Sequence, residues 1–519
     1  MSIQRIFTYE VDPNDLVSKK NIFVNSLSFV LAKILNISVF IWAQQYLIRK
    51  IPSEEYAIYA IISSLVFLLP FITSSLVSAG SRYMVYEYSE SNYIELNKVL
   101  STSIILNFFI SVFILILLLL TIYYLESLIK IDQLFLLDAK WMLFIISTTF
   151  IINFIFTPLG LGLYISQKLV LYNIMNLIIE ILKIMLLFFL LFMISSKPLW
   201  IVVVNSLGII FALITRIFLT KKIIPQLKFT FNNFEKNYIS QFIKFGSWNG
   251  IILLSKYLRN FIALFMLNRF GTSLDVSNFN IGRFISRQTT QIWEPIRSSI
   301  GAPLITMHSK KEYKKINNTY LKGGRLAIWI TSIIVFPSIL FSNLIINFYV
   351  GPAYEDAIYI TSALLAIIPF QMLNVMLPQI SVAIDKQKTL ALSMLFIQLT
   401  SIGFMYYTFV ELGYSVIYMV FSIALINIFG ELFLNTIYAK KYLKIKFKDI
   451  LIKSLLPGII PGMITSLYWM IIKMNFDFFT YYKLILCISP GFILLISLIY
   501  FCSLEEDKKF IKNLLSKVL

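Results

Sequence analysis

Runs of about twenty apolar residues recur along the chain, separated by short polar connections. Counting one crossing per run gives about fourteen transmembrane helices. They fall near 21–48, 55–79, 99–125, 140–162, 170–194, 198–220, 241–268, 274–301, 324–349, 355–381, 389–410, 414–438, 450–473 and 480–502. A transmembrane β-barrel would show shorter segments alternating apolar and polar residues. The pattern therefore predicts an all-α polytopic membrane protein. No connection exceeds about 25 residues, so no domain outside the bilayer is expected. Proline and glycine interrupt several runs, most visibly over Pro457–Gly462. Each interruption reads as a bend in a packing helix.

The eighth run carries charge. Arg283, Arg287, Thr290, Glu294 and Arg297 follow one another at four, three, four and three residues. At about 100° per residue they share a stripe about 80° wide, and Phe284, Trp293 and four isoleucines fill much of the rest. An arginine in mid-bilayer costs about 2.5–3.5 kcal/mol on insertion scales. The stripe is therefore expected to face a polar cavity inside a bundle. Alternatively, the segment is a cytoplasmic amphipathic helix that never crosses.

Loop charge separates these readings. With the N-terminus inside, the even-numbered loops and both tails hold about 28 Lys and Arg, against about 8 in the odd-numbered loops. The inside clusters include Lys221, Lys222 and Lys228; Lys310, Lys311, Lys314 and Lys315; and Lys440, Lys441, Lys444, Lys446 and Lys448. If 274–301 did not cross, this bias would reverse for the last third of the chain. A crossing helix is expected, with both termini cytoplasmic. The net charge of +19 then reflects topology, and no nucleic-acid partner is expected. The first twenty residues lack the short apolar core and cleavage site of a signal peptide.

The other basic residues inside spans narrow the chemistry. Lys33, Lys256 and Arg259 join Arg283, Arg287 and Arg297 as candidate substrate-binding residues. Lysine outnumbers arginine 35 to 10 overall, yet arginine dominates the eighth span. Its planar fork binds carboxylate or phosphate oxygens two at a time, which points to an anionic ligand. Glu180 and Glu294 are the acidic candidates within spans, for ion coupling or for pairing; Glu180 precedes Lys183 by three residues. Cys487 and Cys502 lie about 22 Å apart along one straight helix and cannot pair there. His308 reads as a solvated ring beside a Lys-rich loop. No metal site, cofactor or catalytic constellation is expected.

The connection after the first span reads Pro52-Ser53-Glu54-Glu55-Tyr56-Ala57-Ile58-Tyr59. It resembles the GPEEYGLY-like signature of bacterial polysaccharide repeat-unit flippases, the Wzx-type branch of the multidrug/oligosaccharidyl-lipid/polysaccharide (MOP) superfamily. Ile51 and Ala57 stand where that pattern often has glycine. Phe245-Gly246-Ser247-Trp248, Tyr349-Val350-Gly351-Pro352-Ala353-Tyr354, and Pro158-Leu159-Gly160 with Gln167-Lys168 and Tyr172-Asn173 are similar to the family in the same order. The resemblance covers essentially the whole chain. It implies two six-helix lobes around a central cavity, residues 1–238 and 239–448, with two further helices and a tail over 449–519. Segments 21–61 and 241–281 share a plan at an offset of about 220 residues, as parallel repeats require.

The resemblance implies a non-enzymatic flippase in the bacterial cytoplasmic (inner) membrane. Its substrate would be a polyprenyl-diphosphate-linked oligosaccharide for a surface polysaccharide such as capsule or the O-antigen of lipopolysaccharide. A polysaccharide polymerase and chain-length machinery would be partners. Three other readings compete. A peptidoglycan-precursor lipid flippase would also show fourteen spans and a cationic cavity. A drug or cation antiporter of the same superfamily would want an acidic, aromatic lining. A polymerase or ligase acting on the same lipid would need a sizeable outer loop with catalytic residues, and the outer loops here are short.

Overall fold

The computed structural model describes residues 42, 45–66, 69–166, 168–293, 300, 304, 307–308, 310–475, 481–505 and 507–508. The first predicted span falls almost wholly outside them. The described helices are α1 (Ser53–Val66), α2 (Leu69–Ser89), α3 (Tyr93–Tyr123), α4 (Gln133–Phe156), α5 (Leu169–Met193), α6 (Leu199–Ile223), α7 (Lys236–Phe270) and α8 (Ser273–Gln291). They continue with α9 (Tyr313–Leu340), α10 (Asp356–Ala366), α11 (Gln387–Tyr406), α12 (Val416–Phe429), α13 (Leu456–Asn475) and α14 (Tyr481–Cys502). From α3 onward each helix lies on the predicted run of the same number; α1 and α2 share the second. Among the described residues nine helical stretches are long and apolar enough to cross a membrane, and α7, bent by 41°, makes a tenth.

The chain forms two compact units, Met1–Ser277 and Asn278–Leu519. In the first, α7 packs on α1 and α2, and α6 lies between α4 and α5. Helix α3 is peripheral: Phe108, Phe109, Phe113 and Ile116 are exposed, as lipid-facing residues would be. In the second unit α10, with its continuation through Ile368–Leu373 and Leu377–Ala383, is central. Of its apolar window 72% is buried, against 22% for α3. Leu365, Ile368, Leu373, Leu377 and Ile380 form the middle of that core.

The Pro457–Gly462 run packs against α9. Pro457 and Pro461 have no N–H for the carbonyls four residues back, those of Lys453 and Pro457. Helix α9 supplies both missing donors. Arg325 donates to the Lys453 carbonyl, and the Trp329 indole N–H donates to the Pro457 carbonyl at 2.8 Å. The two glycines bring the helices together: a Cβ at Gly458 would press on Ile328, and one at Gly462 would overlap the Phe336 ring. The run, read from the sequence as a feature of a packing helix, forms the packing face between α9 and α13.

Cross-loop contacts join loops of the same parity. Loops 3 and 5 meet through Lys197 and Asp138 at 2.6 Å, a bond that raises the Lys197 pKa above the usual lysine value. Loops 3 and 7 meet through Asn268, which accepts the Lys130 N–H and donates to the Lys130 carbonyl. Loops 2 and 6 meet where Asn97 Nδ2 donates to the Gln226 carbonyl. Loops 8 and 12 meet where Asn317 Nδ2 donates to the Leu443 carbonyl.

Candidate functional site

Helix α8 opens on a reciprocal cap. The Thr272 N–H and hydroxyl both donate to Asp275 Oδ2 at 2.8 Å, and the Asp275 N–H donates back to Thr272 Oγ1. Residues 276–284 are then buried without a break. Two small features let α8 lie close against α10. A Cβ at Gly282 would meet Ile360, and Asn278 Oδ1 accepts the N–H of Ala357 at 3.2 Å.

Arg283 is 8% exposed on this buried stretch. Its Nε donates to Asn280 Oδ1 at 3.1 Å, and its guanidinium carbon lies 5.9 Å from the Phe279 ring centroid. Planar contacts of this kind hold the fork in one orientation. One turn on, Arg287 is half-buried. Thr290 lies on the same face, and its hydroxyl donates to the Arg287 carbonyl at 2.9 Å and so serves the helix backbone. Phe284, beside the stripe at about 100° from Arg283, stacks on Tyr349 at 6.0 Å.

The ends of α9 fix the path of this segment. Asn278 is bonded to Ala357, beyond the C-terminal end of α9. Asn317, in its first turns, is bonded to Leu443. At 1.5 Å per residue these ends lie about 40 Å apart. The chain from Asn278 to Asn317 therefore leads from one end of the unit to the other. A membrane crossing requires that path, and a surface helix does not.

The remaining candidates are distributed differently. Arg259 is half-buried on α7, in the first unit. Lys256 lies on the same helix, and its side chain falls outside the described residues, as do Lys33, Glu294 and Arg297 entirely. Lys183 Nζ reaches both Glu180 oxygens at 3.0 Å on α5. Gly208 of α6 makes room for this pair, since a Cβ there would overlap the Lys183 stem.

Two charged groups escaped the sequence reading. Asp507 is fully buried, with Arg325 on Oδ2 and Lys322 at 3.5 Å from Oδ1. Glu431 lies within the Val416–Leu443 span and adds a third acidic group to the two read inside spans. A lone glutamate in that apolar run was the available signal. Its carboxylate accepts from Asn374 Nδ2 at 3.0 Å and Asn435 Nδ2 at 2.8 Å.

No family model matches the chain, and no curated relative matches it. Solved structures do. Lipid II flippase MurJ, in an inward closed conformation, is 18% identical at a TM-score of 0.67, covering 92% of this chain and 98% of its own. An inward-facing multidrug resistance MATE family transporter of the MOP superfamily is 14% identical at 0.63, covering 81% and 98%. An outward-facing one is 13% identical at 0.61, covering 85% and 97%. The chain therefore has the fold of these membrane transporters.

Proposed function

We propose that this chain is a flippase for polyprenyl-diphosphate-linked oligosaccharide repeat units, working by alternating access for surface polysaccharide synthesis. The observation that carries the reading is Arg283, nine-tenths buried on a helix whose segment leads from one end of its unit to the other. A buried guanidinium is costly unless it meets an anion or a dipole, and a diphosphate offers paired oxygens to its fork. Arg287, one turn on, extends the same face. Lys33, Lys256, Arg259 and Arg297 complete the proposed anion-binding set. Moving a headgroup of about two negative charges out of a negative cytoplasm gains about 2.3 kcal/mol per charge per 100 mV.

The likeness to a lipid II flippase supports a lipid-linked cargo and keeps a peptidoglycan-precursor lipid as the second reading. The lipid-linked glycan that accumulates on the cytoplasmic face without the protein separates the two. The site itself is tested by glycan export normalised to inserted protein. Arg283→Ala and Arg287→Ala are each expected to cut export by about tenfold or more, and Arg287→Lys to restore part of it. Wild-type export in both alanine variants would sink the cationic-site reading.

A further inference from the structure

A cavity of about 540 Å³ opens in the first unit, where the end of α2, the start of α3 and the start of α7 meet. Cavities that hold small ligands measure about 300–1,000 Å³. Loops 2 and 6 frame it, and both are even-numbered, so it is expected on the cytoplasmic side. Lys256 and Arg259 of the proposed anion-binding set lie about 27–32 Å further along α7 than Tyr238.

Bonds across the fold build the cavity before any ligand arrives. The connection into α7 is tied to α3 at Asn97, Ser101 and Thr102. Asn97 Nδ2 donates to the Gln226 carbonyl, and Asn97 Oδ1 accepts the Lys228 N–H at 2.9 Å. Ser101 Oγ accepts the Thr230 N–H at 3.3 Å, and Thr102 Oγ1 accepts the Glu235 N–H at 2.9 Å. These bonds fix where α7 begins. Its first turns bring the Tyr238 ring 6.0 Å from that of Tyr83 on α2, with the buried Phe242 ring 6.0 and 5.9 Å from the two. The Tyr238 hydroxyl donates to Glu95 Oε2 at 2.9 Å, and Lys98 Nζ donates to Oε1 at 2.7 Å.

The lining has the chemistry of a polyol site. Glu87 and Glu235 face the cavity, and among the described residues their carboxylates enter no hydrogen bond. An ionised carboxylate only accepts, so it calls for hydroxyl or N–H donors. Asn237 and Gln241, both exposed at the rim, donate and accept. The tyrosine rings supply flat apolar surface. A pyranose has C–H groups on its faces and hydroxyls around its edge, and it matches both. Charge narrows the choice. Glu87, Glu95 and Glu235 stand against Arg82 and Lys98, so a phosphate would meet a net negative wall. Lys98 is already bonded to one of the three carboxylates, which leaves a weak cage for an organic cation. Among the described residues no acidic groups are clustered as metal ligands.

We propose that this cavity is a glycan subsite. It binds a neutral sugar by ring packing on Tyr83 and Tyr238 and by hydroxyl bonds to Glu87 and Glu235. In transport it takes the sugar end of the cargo, whereas the basic set takes the diphosphate end; that use rests on the flippase reading above.

Saturation-transfer NMR of the full chain in lipid nanodiscs tests the subsite. The probes are the methyl glycosides of glucose, galactose, mannose, rhamnose, N-acetylglucosamine and N-acetylgalactosamine. At least one is expected to bind. Glu87→Gln with Glu235→Gln should weaken that binding about tenfold, since an amide is the poorer acceptor. Gln241→Ala, at the rim, should weaken it about threefold. Inorganic diphosphate and tetramethylammonium should not displace the sugar. The proposal is overturned if no glycoside binds, if binding is unchanged in the double variant, or if diphosphate or tetramethylammonium displaces the sugar. Should the double variant fail to insert, Gln241→Ala with Asn237→Ala decides, and unchanged binding there overturns the subsite. Glycan export is measured separately. Slower export in the Glu87→Gln, Glu235→Gln variant joins the subsite to transport, and wild-type export overturns that role. A chain that binds sugar but exports no glycan fails the flippase reading and leaves the subsite standing.

Discussion

Asp507 holds two cations, Arg325 and Lys322, and it does so fully buried. Removing one partner of such a cluster strands the others without water. Asp507→Ala is expected to cost about 3–5 kcal/mol, read as a lower melting temperature in detergent. The Asp507→Leu, Arg325→Met double variant should recover part of that loss, since apolar residues of similar volume need no counter-charge, while the Lys453 carbonyl, deprived of its Arg325 donor, keeps the rest. A double variant no better than Asp507→Ala would show that the network does more than balance charge. Nothing in the sequence marks this aspartate. It sits in the tail beyond the last span, and its partner Arg325 is 182 residues away. Glu180 was legible because its partner is three residues off on the same helix. Charge pairing is readable from sequence when it is local and invisible when the fold has to bring it about.

At the level of the element, apolar run length located the helices, because a bilayer fixes how long a run must be. It did not tell how they meet. The ninth apolar run begins near 324, yet α9 starts at Tyr313, and Gly323 and Gly324 inside it lie against Met376 and the Leu373 carbonyl. The Pro457–Gly462 run is the sharper case. Trp329→Phe keeps the ring but leaves the Pro457 carbonyl without its donor, at a cost of about 1–3 kcal/mol. Pro461→Ala in that background returns a backbone N–H four residues on, so the double variant should regain most of the stability. Melting curves of the three variants form a cycle. Two losses that simply add would mean that the indole does not stand in for the missing backbone donor.

Across the whole molecule, the parity of contacting loops is independent of the charge count that predicted the threading. Contacts join loops 3 and 5, loops 3 and 7, loops 2 and 6, and loops 8 and 12. A missed or extra span between any of these pairs would put their contact on opposite faces of the bilayer. Parity fixes alternation but not direction, because turning the molecule over leaves every contact unchanged. Direction rests on lysine and arginine, which are held on the cytoplasmic side during insertion. The basic clusters at 310–315 and 440–448 both belong to even-numbered loops, so those loops are expected inside. Reporter fusions after residues 275 and 353 should then read outside, and one after residue 519 should read inside. The eighth span is the sensitive point. Without it, the fusion after 353 would move inside while the one after 275 stayed outside. A fusion after 353 that reports the cytoplasm would therefore remove the crossing that carries Arg283 and Arg287, and the anion-binding site with it.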